Sequence, residues 1–125
     1  MQQAVHGRPI SGSIGGPADR ALFLSGHDTN IENIAGALNL TWILDGRRND
    51  TPPGGALVFE VWQQRSTQQY SVRLYYTAQT LGQMRTSAAL SAAKPPERVA
   101  VFIPACSRAD VSCALPEFLR ALATK

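Results

Sequence analysis

Apolar positions along this chain recur with two different periods, and the changes of period mark its elements. Ala21-Leu22-Phe23-Leu24 is a short continuous apolar run ending at Ser25-Gly26, which predicts a buried strand. From there the spacing becomes helical. Ile31, Ile34, Ala35 and Leu38 fall at i, i+3, i+4 and i+7 and so share one helix face. Thr29 with Glu32 three residues on matches a capping box, which predicts a helix start near Thr29. A period of two takes over at Ala56. Leu57, Phe59 and Val61 share one face of a strand, with Val58 and Trp62 flanking Glu60 on the other. Tyr70, Val72, Leu74 and Tyr76 share a face of a second strand, and Arg65-Ser66-Thr67-Gln68 between them suits a hairpin. A short helix around Thr80–Arg85 is expected to bury Leu81 and Met84. Val99 to Ile103 reads as another buried strand. Leu115, Phe118, Leu119 and Leu122 repeat the helical stripe, with Pro116 tolerated in its first turn.

Between these elements lie loops with identifiable turn chemistry. Residues 1–19, rich in Gly, Pro and Ser, read as a connecting segment entered from the end of a helix. Residues 41–55 carry Asp45-Gly46, Asn49-Asp50 and Pro52-Pro53-Gly54-Gly55, all turn signals. The order of strand, helix, hairpin, short helix, strand and helix predicts a layered α/β or α+β arrangement over residues 20–125. No internal repeat interrupts it.

Composition narrows the possible functions. A hydrophobic share of 44% is enough for a packed core, and no apolar run approaches the roughly 20 residues that span a bilayer. No membrane partner is expected. The start, Met1-Gln2-Gln3-Ala4-Val5, has no basic flank leading into an apolar core. That fits a cytoplasmic protein, or one whose export signal lies on sequence upstream of Met1. The net charge of +3 comes from cations spread along the chain, with Arg47-Arg48 the only adjacent pair of arginines. A nucleic-acid binder concentrates such charge in a patch, so no nucleic-acid partner is expected. Cys106 and Cys113 stand close in sequence and far from both histidines. A zinc site is therefore not expected, while a disulfide and a pair of free thiols both fit the spacing.

The stretch with chemical content is Ser25-Gly26-His27-Asp28-Thr29-Asn30, where a strand passes through a glycine into a helix. Backbone N–H groups of a first helical turn favour an anion, and His27 with Asp28 would add a proton donor and a cation at acid pH. Capping alone also accounts for Asp and Thr at this place. A triad of Ser25, His27 and Asp28 is not expected, because triad members converge from separate elements.

Gly26-His27-Asp28-Thr29-Asn30 resembles the C-terminal His-Asp motif of the histidine acid phosphatases, in particular bacterial periplasmic phytases and glucose-1-phosphatases. The likeness continues through Asn49-Asp50-Thr51-Pro52-Pro53-Gly54-Gly55-Ala56-Leu57-Val58-Phe59-Glu60, then Gln79-Thr80-Leu81-Gly82-Gln83-Met84-Arg85, and on to the paired cysteines. It implies the C-terminal part of a phosphoglycerate-mutase-like α/β domain, a sheet with flanking helices. It also implies metal-independent, cofactor-free hydrolysis of a phosphomonoester, either phytate or a sugar phosphate, through a phosphohistidine. By the same likeness Asp28 is the catalytic proton donor, His27 a catalytic phosphate-binding group, and Thr29 part of the substrate pocket. The resemblance implies a Cys106–Cys113 bridge and a periplasmic location.

One departure stands beside the match. The family's nucleophile motif, Arg-His-Gly-x-Arg-x-Pro, does not occur in this sequence. Its only echo is Val5-His6-Gly7-Arg8-Pro9, which lacks the leading arginine and crowds Arg8 and Pro9 against His6, so His6 is read as a loop residue. The chain is therefore expected to be a partial sequence, inactive by itself, with Met1 an internal methionine. The competing reading is a non-catalytic α/β module that keeps an anion-binding helix start.

Overall fold

The computed structural model describes residues 1–124. Its centre is an antiparallel sheet built around one strand, β4 (Tyr70–Ala78); the other strands are β1 (Ile43–Leu44), β2 (Arg47–Arg48), β3 (Ala56–Gln63), β5 (Glu97–Val101) and β6 (Ser112–Ala114). β3 pairs with β4 along its whole length, from Ala56 opposite Thr77 to Gln63 opposite Tyr70. On its other side β4 is shared, with β5 against Leu74–Ala78 and β6 against Ser71–Arg73. The predicted β3–β4 hairpin forms, and Leu57, Phe59 and Val61 stand opposite Tyr76, Leu74 and Val72. Its loop closes where Gln64 and Gln69 meet, with Gln68 at φ 58°.

Alternation along β4 decides which face is dry. Val72, Leu74, Tyr76 and Ala78 are buried. Over them lie two caps of apolar side chains. At one end Trp42 stacks on Tyr76 with ring centroids 4.5 Å apart. At the other end Phe118 meets Phe59 at 5.8 Å. Phe118 belongs to α4 (Leu115–Ala123), which starts with Pro116 in its first turn and places Glu117 and Arg120 at the ends where the helix dipole favours them. Burying a side chain such as Leu74 or Phe118 contributes about 1.5–3 kcal/mol each, so this face carries most of the stability.

Smaller elements tie the rest to this sheet. β1 and β2 form a two-residue hairpin around Asp45-Gly46, inside the segment read as loop. Asp45 accepts the Leu81 N–H at 2.7 Å and so joins that hairpin to α3 (Leu81–Arg85). α3 begins with a reciprocal cap, in which Thr80 Oγ1 accepts from the Gln83 N–H and Gln83 Oε1 from the Thr80 N–H. The Pro52–Gly55 turn feeds β3, closed by Gly55 N–H to Pro52 O at 3.0 Å, with Gly54 at φ 78°. Cys106 and Cys113 form a disulfide between the chain leaving β5 and the middle of β6.

Six expectations need correction. Val99–Ile103 is not a strand buried throughout: β5 ends at Val101, and Ala100 and Phe102 are exposed while Val101 and Ile103 are buried. Ala21–Leu24 is not a buried strand: it pairs with nothing in either sheet and its side chains are exposed. The helix expected near Thr29, α2 (Asp28–Leu38), starts earlier and is capped by a different pair. Leu81 is exposed and Met84 only half-buried, because α3 is a single short turn held by polar contacts. In α4 Ala121 is buried and Leu122 exposed, so the buried stripe runs through Leu115, Phe118 and Ala121. His6 ends a short helix, α1 (Gln2–His6), rather than lying in a loop. α1 is anchored by Gln3, whose side-chain amide donates to Ile14 O at 3.0 Å.

Candidate active site

The polypeptide turns into α2 through a close approach that glycine permits. A Cβ on Gly26 would lie 2.7 Å from Asn30 Oδ1, and that oxygen is the atom which caps the helix. It accepts the His27 N–H at 2.8 Å, while the Asn30 N–H donates to His27 O at 3.0 Å. His27 is thus the residue before the helix, in extended backbone at φ −119° and ψ 171°. Asp28 opens the first turn, and its Oδ1 accepts the Thr29 N–H at 2.8 Å. The expected pairing of Thr29 with Glu32 is replaced by that of His27 with Asn30, because the short Asn side chain reaches back over a residue without a Cβ.

His27, Asp28 and Thr29 are all exposed. They follow one another at a single helical entry, His27 before the first turn and Asp28 and Thr29 within it. α2 itself touches the core through Ile31, Ala35 and Leu38, which fixes its axis and leaves its first turn free. His6 is exposed at the end of α1, separated from α2 by the turns of residues 7–19. Among the described residues no group of three or more His, Cys, Asp and Glu side chains could hold a metal ion, and no helix is long and apolar enough to cross a membrane.

Two polar constellations escaped the sequence reading. On the wet face of the sheet Arg98 lies 3.7 Å over the Tyr75 ring and pairs with Glu60, whose Oε2 also accepts the Trp62 indole N–H at 2.9 Å. Arg73 covers the Trp62 ring at 4.8 Å. Trp62, Arg73, Arg108, Asp110 and Ser112 line a shallow open depression beside it. There the Ser112 hydroxyl and N–H both donate to Asp110 and hold its carboxyl below the usual carboxylate range. The signal for this face was the strand alternation, which puts Glu60, Trp62, Arg73 and Tyr75 on the side away from Leu57, Phe59, Val72 and Leu74. The second constellation lies under the Pro52–Gly55 turn. The Arg47 guanidinium pairs with Asp50 near the Tyr76 hydroxyl, which is buried without a hydrogen-bond partner. Burial, reinforced by the Asp50 charge, raises the Tyr76 phenol above its ordinary value, and Arg47 opposes part of the rise.

The architecture is that of part of a histidine phosphatase fold. It superposes on the apo form of Hafnia alvei phytase with a TM-score of 0.81 and 40% identity, covering 94% of this chain and 28% of the phytase. On the same phytase in complex with myo-inositol hexakis sulphate the TM-score is 0.80 at 37% identity, covering 98% of this chain and 32% of the phytase. The chain belongs to branch 2 of the histidine phosphatase superfamily, whose family model matches residues 12–77. Phytase AppA of Escherichia coli (strain K12) is 41% identical over 99 residues, 78% of this chain and 23% of the phytase. Glucose-1-phosphatase of Providencia rettgeri is 34% identical over 92 residues, 73% of this chain and 22% of that enzyme. The chain therefore spans about a quarter of the length of the curated relatives it matches.

Proposed function

We propose that this chain supplies the acid-donor half of an acid phosphomonoesterase that acts on phytate or a sugar phosphate. The single observation that carries the reading is the exposed His27-Asp28-Thr29 entry to α2 in a chain of branch 2 histidine phosphatase descent. In this reading His27 and the positive end of α2 bind a phosphate oxygen, which the helix end favours electrostatically. A histidine on the Arg-His-Gly-x-Arg-x-Pro segment attacks phosphorus, the ester P–O bond breaks, and the Asp28 carboxyl gives its proton to the departing alkoxide. Thr29 lines the pocket. Water then hydrolyses the phosphohistidine, and the fold supplies this chemistry without metal or cofactor. The nucleophile motif does not occur among residues 1–125, so by itself the chain is expected to hydrolyse nothing. The substrate class is supported by the Hafnia alvei phytase complex with myo-inositol hexakis sulphate. The Cys106–Cys113 bridge supports an oxidising compartment, which we take to be the periplasm.

A second reading rests on one hydrogen bond. Asp28 Oδ1 accepts the Thr29 N–H, so Asp28 could serve the helix end alone, in a non-catalytic anion-binding module. The two are separated in a chimera where this chain replaces the matched stretch of Hafnia alvei phytase. Asn serves a helix start about as well as Asp but cannot give up a carboxyl proton. Asp28→Asn is expected to slow hydrolysis of alkyl phosphates about 10²–10⁴-fold and that of a nitrophenyl phosphate much less, since its leaving group needs little protonation. Equal and small losses on both esters would leave Asp28 with a structural role only.

A further inference from the structure

The depression on the wet face of the sheet holds charge that the helix entry does not use. Strand pairing sets Ser71 between Trp62 and Ala114, and Arg73 between Glu60 and Ser112, all on the face away from Val72. α2 and α4 pack on the opposite, dry face through Ile31 and Phe118, so the sheet stands between this depression and α2. It encloses about 390 Å³, which falls in the range of small-molecule sites, about 300–1,000 Å³. One wall is the loop closed by the Cys106–Cys113 bridge, which carries Arg108 and Asp110. That loop is pinned further. Ser107 Oγ accepts the Ile103 N–H at 2.7 Å, and the Arg108 N–H donates to Ser112 O at 2.9 Å. Val111 is held at φ 60°, a left-handed conformation that a β-branched residue adopts only where its surroundings impose it.

The ligand class follows from which groups are already engaged. Among the described residues neither Arg73 nor Arg108 pairs with a carboxylate. Glu60, the acid opposite Arg73, is taken up by Arg98 and the Trp62 indole. The Arg73 guanidinium lies 4.8 Å over the Trp62 ring, and its Nε is buried without a hydrogen-bond partner. Two uncompensated guanidiniums in one depression suit a doubly charged oxyanion, which their planar forks bind through parallel N–H···O bonds. Asp110 adds a second requirement. Ser112 donates to its Oδ1 from the hydroxyl at 2.7 Å and from the N–H at 3.1 Å, which leaves Oδ2 to accept from a ligand. A carboxylate repels a bare phosphate but accepts from a hydroxyl, so the two requirements together favour an ester over the inorganic ion. We infer that this depression binds the phosphate monoester of a small polyol, with Arg73 and Arg108 on the phosphate oxygens and Asp110 on a hydroxyl. Esters of this class are those on which the proposed reaction acts. The assignment rests on the arginines, however, and holds whether or not Asp28 gives up a proton.

The chain's two tryptophans report on opposite faces, Trp62 at the depression and Trp42 in the core. The test titrates the isotope-labelled full chain with glucose-6-phosphate, with glucose and with inorganic phosphate, and follows both indole N–H signals by NMR. Glucose-6-phosphate is expected to move the Trp62 signal saturably and to leave that of Trp42 in place. Inorganic phosphate should bind there several-fold more weakly, and glucose should not bind. Arg73→Gln and Arg108→Gln should each weaken the ester roughly tenfold or more, the loss expected for a hydrogen bond to a charged group. His27→Gln should leave the Trp62 titration unchanged, which separates this site from the helix entry. Arg73 also packs on Trp62, so Arg73→Gln can disturb the fold. Arg108 is exposed, and Arg108→Gln keeps the test decisive. An ester that shifts only residues 27–30 binds the helix entry alone and overturns the proposal. A Trp62 titration indifferent to Arg108→Gln overturns it as well. Equal affinity for phosphate and ester would make the depression a general oxyanion site and remove the polyol from the assignment.

Discussion

Gly55 is the position where one added methyl group should be felt most sharply. It is half-buried at the end of the Pro52–Gly55 turn, and a Cβ built on it would fall inside the radius of Tyr76 Oη, 3.1 Å from Tyr76 Cζ and 3.0 Å from Pro52 O. Tyr76 cannot retreat. It is fully buried, stacked on Trp42, and held in β4 between Leu57 and Val99. The turn must move instead, against its own Gly55 N–H to Pro52 O bond. Overpacking a dense site costs about 1–3 kcal/mol, and a clash on both hydroxyl and ring belongs in the upper half of that range. Alanine also stiffens the unfolded chain, which returns about 0.4–1 kcal/mol. Gly55→Ala should therefore destabilise by about 1.5–2 kcal/mol, or roughly 5–10 °C in Tm at this length. Urea unfolding followed by tryptophan fluorescence measures it, with Trp42 as a reporter beside the site. Tyr76→Phe removes the atom closest to the new methyl, so the same substitution in that background should cost about 1 kcal/mol less. A loss below about 0.5 kcal/mol, or an equal loss in both backgrounds, would refute the assignment of the cost to Tyr76.

Tyr76→Phe alone should be nearly neutral at pH 7, within about 1 kcal/mol, since it removes a buried hydroxyl that has no partner. Its effect should become stabilising in alkali. The folded phenol titrates above its ordinary value of 10.0, so its stabilisation is complete below pH 10 and is lost as pH rises toward the raised value. Urea midpoints at pH 7 and above pH 10 should show the wild type losing stability that the Phe variant keeps; parallel losses would remove Tyr76 as the cause. For the disulfide, native protein exported to an oxidising compartment should offer no thiol to an alkylating reagent. Replacing Cys106 and Cys113 by serine should cost about 2–3 kcal/mol for so short a loop, and full labelling of both cysteines in native protein would deny the bridge.

What the sequence made legible depended on where the determining contacts lie. The β3–β4 hairpin was readable because its pattern and its partner are adjacent, and Val61 opposite Val72 follows from alternation plus a four-residue loop. The Asp45-Gly46 signal was visible as a turn, but two-residue strands carry no period, so the β1–β2 pairing was not. Ala21–Leu24 misled for the opposite reason: its apolar run reads as a buried strand, yet among the described residues no strand pairs with it and its side chains are exposed. Helix ends shifted with local sterics, since Gly26 let Asn30 rather than Glu32 close the α2 entry. In α4 the spacing of Leu115 and Phe118 fixed the face, but not that Ala121 rather than Leu122 would complete it. The candidate site was legible through the resemblance carried by Gly26 to Asn30. Spacing alone left both capping and catalysis open there, with capping the more ordinary reading.

The division of one side of β4 between β5 and β6 has a consequence for how this protein behaves at high concentration. An unbroken outer strand is a template on which a neighbouring molecule can add its own strand. Here that side is cut into pieces of five and three residues, and the excursion between them is bent back by the Cys106–Cys113 bridge. A visiting chain would lose register after a few hydrogen bonds. β3, with eight continuous residues, forms the opposite border of the four-stranded sheet and has no such interruption. Intermolecular pairing from this unit is therefore confined to the β3 border: two copies can join there, and the pair then presents only interrupted borders on which further growth stalls.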